Sequence, residues 1–303
     1  MKTFLICAAI AVTMYSCDDA GGSETSSKPG ETKETTKTKS QINLSVLLDL
    51  SDRIDTKTNP GKPEHFEKDL EIIRYLDQYF AKEMEKNGAF MSKGKFRVLF
   101  SPKPNDPNIN VLAQKMNVDL SKMDVKQKKQ VHDNIEKDFT NAAQQIYATT
   151  IQTNKWIGSD VWRFFKNDVK DYCIEQDPAY RNVLVIITDG YLYHPDSKDK
   201  VNNRYAYILP SLFEQYKLRK NQNWETEMEK QDFGLIAKRD DLENLEVLVL
   251  EVNPSANHKN DEDIIKKVLS KWFTEMNVKR FAIHNSDLPE YTKKRIDDFL
   301  SKP

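Results

Sequence analysis

Three cysteines in 303 residues leave no disulfide framework. Cys7 and Cys17 lie at the N-terminus, and Cys173 stands alone in the body. Cys173 follows the apolar pattern of a helix, so it reads as a buried structural thiol and not a nucleophile. Histidine is also sparse: His65, His132, His194, His258 and His284. No two of these are spaced i, i+4, the spacing of a metal-binding pair on a helix. Neither Gly-x-Ser-x-Gly nor a phosphate-cradling glycine loop occurs, which removes the two commonest strand-end catalytic signatures of α/β proteins. No charge sign dominates, with 46 Lys+Arg against 47 Asp+Glu. No strong field therefore favours nucleic acid or an anionic membrane, and no nucleic-acid partner is expected. The run Lys126 to Lys129 reads as a solvated helix face. Long hydrophobic stretches are missing too. The N-terminal apolar core, Phe4 to Val12, has nine residues, too few for a membrane span.

What is present at the N-terminus reads as an address. Met1-Lys2 gives a positive start, Phe4 to Val12 the apolar core, and Ser16-Cys17 a small residue before a cysteine. This resembles a bacterial lipoprotein signal peptide over residues 1–16, with Cys17 acylated as the new N-terminus. Each methylene buried by an acyl chain contributes about 0.8 kcal/mol, and several chains hold a protein firmly to a membrane. Residues 17–40 are Gly, Ser, Thr, Lys and Glu almost throughout. They cannot bury enough surface to offset ordering entropy and read as a flexible tether. Asp18-Asp19 resembles the acidic start of lipoproteins exported to the cell surface. The resemblance implies a lipid-anchored protein of the bacterial cell envelope, at the outer membrane or cell surface.

Residues 41–303 alternate strand and helix patterns. Ile42 to Leu48 is apolar apart from Asn43 and Ser45, and Asn182 to Asp189 reads NVLVIITD. Such runs fit strands buried on both faces of a parallel sheet. Phe96 to Ser101, Leu245 to Val252 and Val278 to Ile283 are further strands. Val111 to Val118 reads as either a strand or a loop. Helix periodicity runs through Glu64 to Lys86, Lys126 to Ala148, Asp261 to Met276 and Leu288 to Leu300. A helix also starts after Gly158, with Ser159 as its N-cap and Asp160 near its positive end. The aromatics that follow, Trp162, Phe164 and Phe165, read as core. Residues 191–241 exceed an ordinary connection and read as an insertion beside Asp189, a lid or recognition surface, with Tyr205 to Tyr216 as a candidate helix. The order predicts an α/β fold: three layers, a mostly parallel central sheet and helices on both faces.

Open α/β sheets bind ligands at the carboxyl ends of their strands. Two motifs fall at such points, Asp49-Leu50-Ser51 and Thr188-Asp189-Gly190, and a third, Gly158-Ser159-Asp160, stands ahead of the mid-chain helix. Their order resembles that of a von Willebrand factor A (VWA) domain, over roughly Ile42 to Lys302. The resemblance implies a VWA-like Rossmann-type fold and a metal-ion-dependent adhesion site holding Mg²⁺ or Mn²⁺. The matching positions are Asp49, Ser51, Ser159 and Asp189, an oxygen set suited to a hard cation. It also implies a protein or peptide ligand that engages the metal, often through a carboxylate. The family has a second serine where this chain has Arg53. An arginine turned toward Asp49 or Asp189 replaces the cation, whereas one turned outward leaves room for a cation with one more water.

Three functions follow. The first is a membrane-anchored binding or adhesion module with the cation site. The second is a cell-envelope scaffold whose site is degenerate and metal-free. The third is a metal-assisted hydrolase, with His194 as acid or base five residues after Asp189.

Overall fold

The computed structural model describes residues 40–254, 258 and 260–302. The signal segment, Cys17 and the tether up to residue 39 lie outside the described residues. The chain divides into Met1–Lys37 and Thr38–Pro303, and the fold belongs to the second part. In chain order it comprises β1 (Gln41–Leu48), α1 (His65–Lys86), β2 (Lys95–Phe100), α2 (Pro107–Lys115), β3 (Val118–Asp119) and α3 (Val125–Thr153). Then come α4 (Val161–Arg163), a π-helical turn (Phe164–Asp168), α5 (Val169–Cys173) and β4 (Tyr180–Ile187). Residues 191–241 hold β5 (Lys200–Val201), β6 (Arg204–Tyr205), α6 (Pro210–Gln215), α7 (Trp224–Lys230) and β7 (Gly234–Leu235). The chain closes with β8 (Leu245–Val252), α8 (Asp261–Glu275), β9 (Arg280–Asn285) and α9 (Pro289–Ser301).

The main sheet has six strands in the order β3-β2-β1-β4-β8-β9. All neighbours are parallel except β2 and β3, so the protein is an α/β fold with a mostly parallel sheet. The central register sets Val46 beside Val98 on one side and Val185 on the other, with Leu248 beyond. Side chains alternate between faces along each strand. Leu44, Val46, Leu48, Val183, Val185 and Ile187 pack with Ile73 and Phe80 of α1, Phe139 and Ile146 of α3 and Ile296 of α9. Leu47, Leu184, Ile186, Val247 and Val249 pack with Trp162, Phe165, Phe273 and the side chains of residues 205–236. Burying each large apolar side chain contributes about 1.5–3 kcal/mol, so both faces drive the sheet inward. Asn43 is tolerated in β1 because its amide donates to Cys173 O at 3.0 Å and Asn182 Oδ1 at 2.8 Å.

Several expectations change. Val111 to Val118 is neither strand nor loop over most of its length. Asp106 caps a helix by accepting Asn108 N–H at 2.8 Å, and Pro107 opens it, so α2 runs through residue 115. A proline at the first helical position lacks only an N–H that would be unpaired there anyway. Of the candidate helix at 205–216, only Pro210–Gln215 is helical, because Tyr205 pairs in β6. Lys128 is buried, unlike its neighbours, and its ammonium caps Phe90 O and Ser92 O at 3.0 and 2.8 Å. Residues 191–241 cover one face of the sheet, with Tyr205, Phe213 and Phe233 in its core. Cys173 is buried and unpaired, and burial pushes its thiol up to about 12. Among the described residues, no helix is long and apolar enough to cross a membrane.

Candidate functional site

β1 and β4 are adjacent parallel strands, so Asp49 and Asp189 leave the sheet at the same end, and Asp49 N–H donates to Ile187 O at 3.1 Å. Asp49 is 3 % exposed and held on both oxygens. Its Oδ1 accepts Ser51 N–H at 2.9 Å, and its Oδ2 accepts the Thr188 hydroxyl at 2.7 Å. Thr188 in turn accepts Gly190 N–H at 3.2 Å, and Asp189 Oδ1 accepts Tyr191 N–H at 2.9 Å. Thus the Thr-Asp-Gly turn locks one carboxylate and presents the next. Burial and then the nearby charge of Asp49 push Asp189 up, and Arg53 only partly offsets them. Among the described residues neither Asp49 nor Asp189 has an ion pair.

The expected cap at residue 159 moves by one position. Asp160 caps α4, accepting Arg163 N–H at 3.3 Å, and both residues are good caps, so the sequence does not separate them. The Ser159 hydroxyl is thereby released. Its Oγ is buried and lacks a hydrogen-bond partner. The backbone fixes its place. Ser159 N–H donates to Tyr193 O at 2.8 Å, and Asp160 N–H donates to Ser101 O at 2.8 Å. Ser101 follows β2 and Tyr193 lies beyond β4, which flank β1. The Ser159–Asp160 segment therefore bridges the strands on either side of Asp49. Gly158 permits this approach at φ +83°, where a Cβ would stand 2.3 Å from Tyr193 O.

Arg53 turns inward, one of its two expected directions, but takes Asp69 as its ion-pair partner in place of Asp49 or Asp189. It is buried, but its Nη2 pairs with Asp69 of α1, and its Nε donates to Asp49 main-chain O at 3.2 Å. Tyr147 of α3 donates its hydroxyl to the same Asp69 oxygen at 2.9 Å. Burial works against the Arg53 charge, yet Asp69 and then Asp49 outweigh it and raise its pKa. Burial raises Asp69 to about 6 despite Arg53. Arg53 is therefore spent on Asp69 beneath the site and makes no hydrogen bond to either candidate carboxylate. Asp69 and Tyr147 were missed from sequence, although Asp69 falls on the apolar stripe of α1, where a charge needs a partner.

Asp49, Ser51, Ser159 and Asp189 thus gather at one end of β1 and β4. Among the described residues no group of three or more His, Cys, Asp or Glu side chains is placed to hold a metal. A cation here would rest on two carboxylates and two hydroxyls, a donor set that suits Mg²⁺ or Mn²⁺ in kind. His194 lies beside the segment that carries Ser159, its Cα 3.7 Å from a Cβ built on Gly158. Its Nδ1 accepts Asp196 N–H at 3.2 Å and faces Asp160, whose Oδ2 accepts the Ser197 hydroxyl at 2.8 Å. Comparison with known protein families, curated proteins and solved structures finds no match.

Proposed function

We propose that the protein is a binding module with a VWA-like fold, whose strand-end site takes a divalent cation and, through it, an acidic group of a protein or peptide partner. One observation carries the reading. Two neighbouring carboxylates, Asp49 and Asp189, have no cation paired to them among the described residues, and the buried Ser159 hydroxyl beside them has no partner. Buried polar atoms are normally satisfied, so an orphaned hydroxyl next to excess negative charge asks for an electropositive ligand. The main strands, renumbered among themselves, follow the Rossmann-type order 3-2-1-4-5-6, which supports the finer fold assignment. Asp49, Ser51, Ser159 and Asp189 would hold the ion, and a bound Mg²⁺ or Mn²⁺ would supply an open position for an incoming carboxylate. This chain's own residues do the rest. Thr188 and the Ser51 N–H fix the Asp49 carboxylate, and Asp69 keeps Arg53 from occupying the cation's place. The N-terminal pattern supports a lipid-anchored location in the cell envelope through Cys17.

Calorimetric titration of residues 38–303 with Mg²⁺ and Mn²⁺ tests the site. Binding tighter than millimolar, lost in Asp189→Asn, is the expected result. A flat titration of the unmodified protein sinks the cation reading. It then favours a metal-free scaffold with a degenerate site.

A further inference from the structure

Beside the proposed cation site lies a pocket of about 440 Å³ between the loop after β2, the start of α2 and the end of α3. Leu50, Pro104, Ile109, Thr150 and Ile157 give it a largely apolar wall. Two of these residues tie it to the site by covalent geometry alone. Leu50 stands between Asp49 and Ser51, so its Cα is about 3.8 Å from each of theirs. Ile157 precedes Ser159 by two residues, about 7 Å at most along the chain. The exposed Lys155 lines the pocket as well and has no ion pair among the described residues.

Resting on the cation reading above, we infer that the ligand is an extended peptide in which an Asp or Glu is followed within two residues by a bulky apolar side chain. The acidic group would meet the cation and the apolar group would fill this pocket. Spacing favours this pairing, since an extended chain advances about 3.4 Å per residue. A side chain one or two positions from the carboxylate therefore reaches about as far as the pocket wall lies from the ligands. Charge at the rim is balanced, one Lys155 against one Asp106, so the acidic group is drawn by the cation and the apolar group by the pocket. Volume agrees too, as the space takes a leucine or an aromatic ring and leaves room for a neighbouring residue.

The test uses two fluorescein-labelled peptides, acetyl-Gly-Asp-Leu-Phe-Gly and acetyl-Gly-Asp-Ala-Ala-Gly, read by fluorescence anisotropy with millimolar Mg²⁺ or with EDTA. Burying the apolar side chains should make the first bind about ten- to hundredfold more tightly, and only with Mg²⁺. Thr153→Trp, at an exposed residue lining the pocket, should erase that preference while calorimetric Mg²⁺ affinity stays unchanged. Lys155→Glu, a second exposed change, should weaken both peptides several-fold. Equal binding of the two peptides with Mg²⁺ affinity intact overturns the pocket assignment alone. Preference for the apolar peptide in EDTA also overturns it, because the two groups then act independently. Absence of Mg²⁺ binding removes the cation reading and this inference with it.

Discussion

Asp69 and Asp189 are acidic residues at the same end of one sheet, and they are handled in opposite ways. Asp69 lies under the site with a guanidinium and a tyrosine hydroxyl on one of its oxygens, both from within the fold. Asp189 has one backbone N–H, a like-charged neighbour and, among the described residues, no ion pair, with Arg53 only partly offsetting the charge. The first region supplies its own cation, although Asp69 Oδ1 and Arg53 Nη1 stay without hydrogen-bond partners. The second leaves a deficit of positive charge that folding does not fill. A third carboxyl, Asp77 of α1, shows the remaining solution. It is fully buried, both its oxygens lack partners, and burial followed by Glu136 raises it to about 8, so it is held as the neutral acid. Pairing and protonation are two ways to bury a carboxyl, and Asp189, only partly buried, shows neither ion pair nor full enclosure. The contrast predicts how each responds to change.

The sharpest break of the comparison is Arg53→Ala. It strips Asp69 of its cation and should cost about 3–5 kcal/mol in urea unfolding. The double variant Arg53→Leu with Asp69→Leu should recover most of that loss. A single variant as stable as the parent would show that Asp69 is not balanced by Arg53.

Next in size is Asp77→Asn. Between its ordinary value of 3.8 and its folded value of about 8, the native state holds a proton that the unfolded chain has released. Stability from this group is thus fully present below about pH 4 and declines as pH rises toward 8. Asp77→Asn should flatten that decline and stabilise the protein at pH 8 by on the order of a few kcal/mol. Parallel pH–stability curves for the two proteins would contradict it.

The smallest expected effect is Ser159→Ala. In EDTA the loss of an unpartnered hydroxyl should leave stability unchanged or raise it by about 1 kcal/mol or less. In Mg²⁺ the same change should weaken calorimetric cation affinity about tenfold. Destabilisation in EDTA would mean that the hydroxyl already has a partner within the protein.

Much of the frame is legible in the chain, because apolar runs such as Val183–Ile187 and stripes such as Ile73–Phe80 admit few other fates. Three of the four candidate ligands are legible in strand-end motifs, and Ser159 at a helix start. What escapes is decided across distance. Arg53 turns toward a carboxylate sixteen residues away on a helix, and no local pattern records that choice. The identity of the cap at 159–160 depends on which of two adequate residues meets the loop at Tyr193. Helix α2 escapes because Pro107 at its start, following Pro102 and Pro104, imitates a turn. Thr188 is visible as part of Thr-Asp-Gly, but its grip on Asp49 requires the register of two strands 139 residues apart.

The placement of β1 has a mechanical consequence. The chain enters it at Gln41, at one end of the sheet, and Asp49 lies just past the other. Tension between that entry point and a ligand held at Asp49 would run lengthwise along a central strand, paired to β2 over six residues and to β4 over eight. Such a load shears all of those hydrogen bonds together instead of peeling them one by one. A module pulled this way resists like a lap joint, not a zipper.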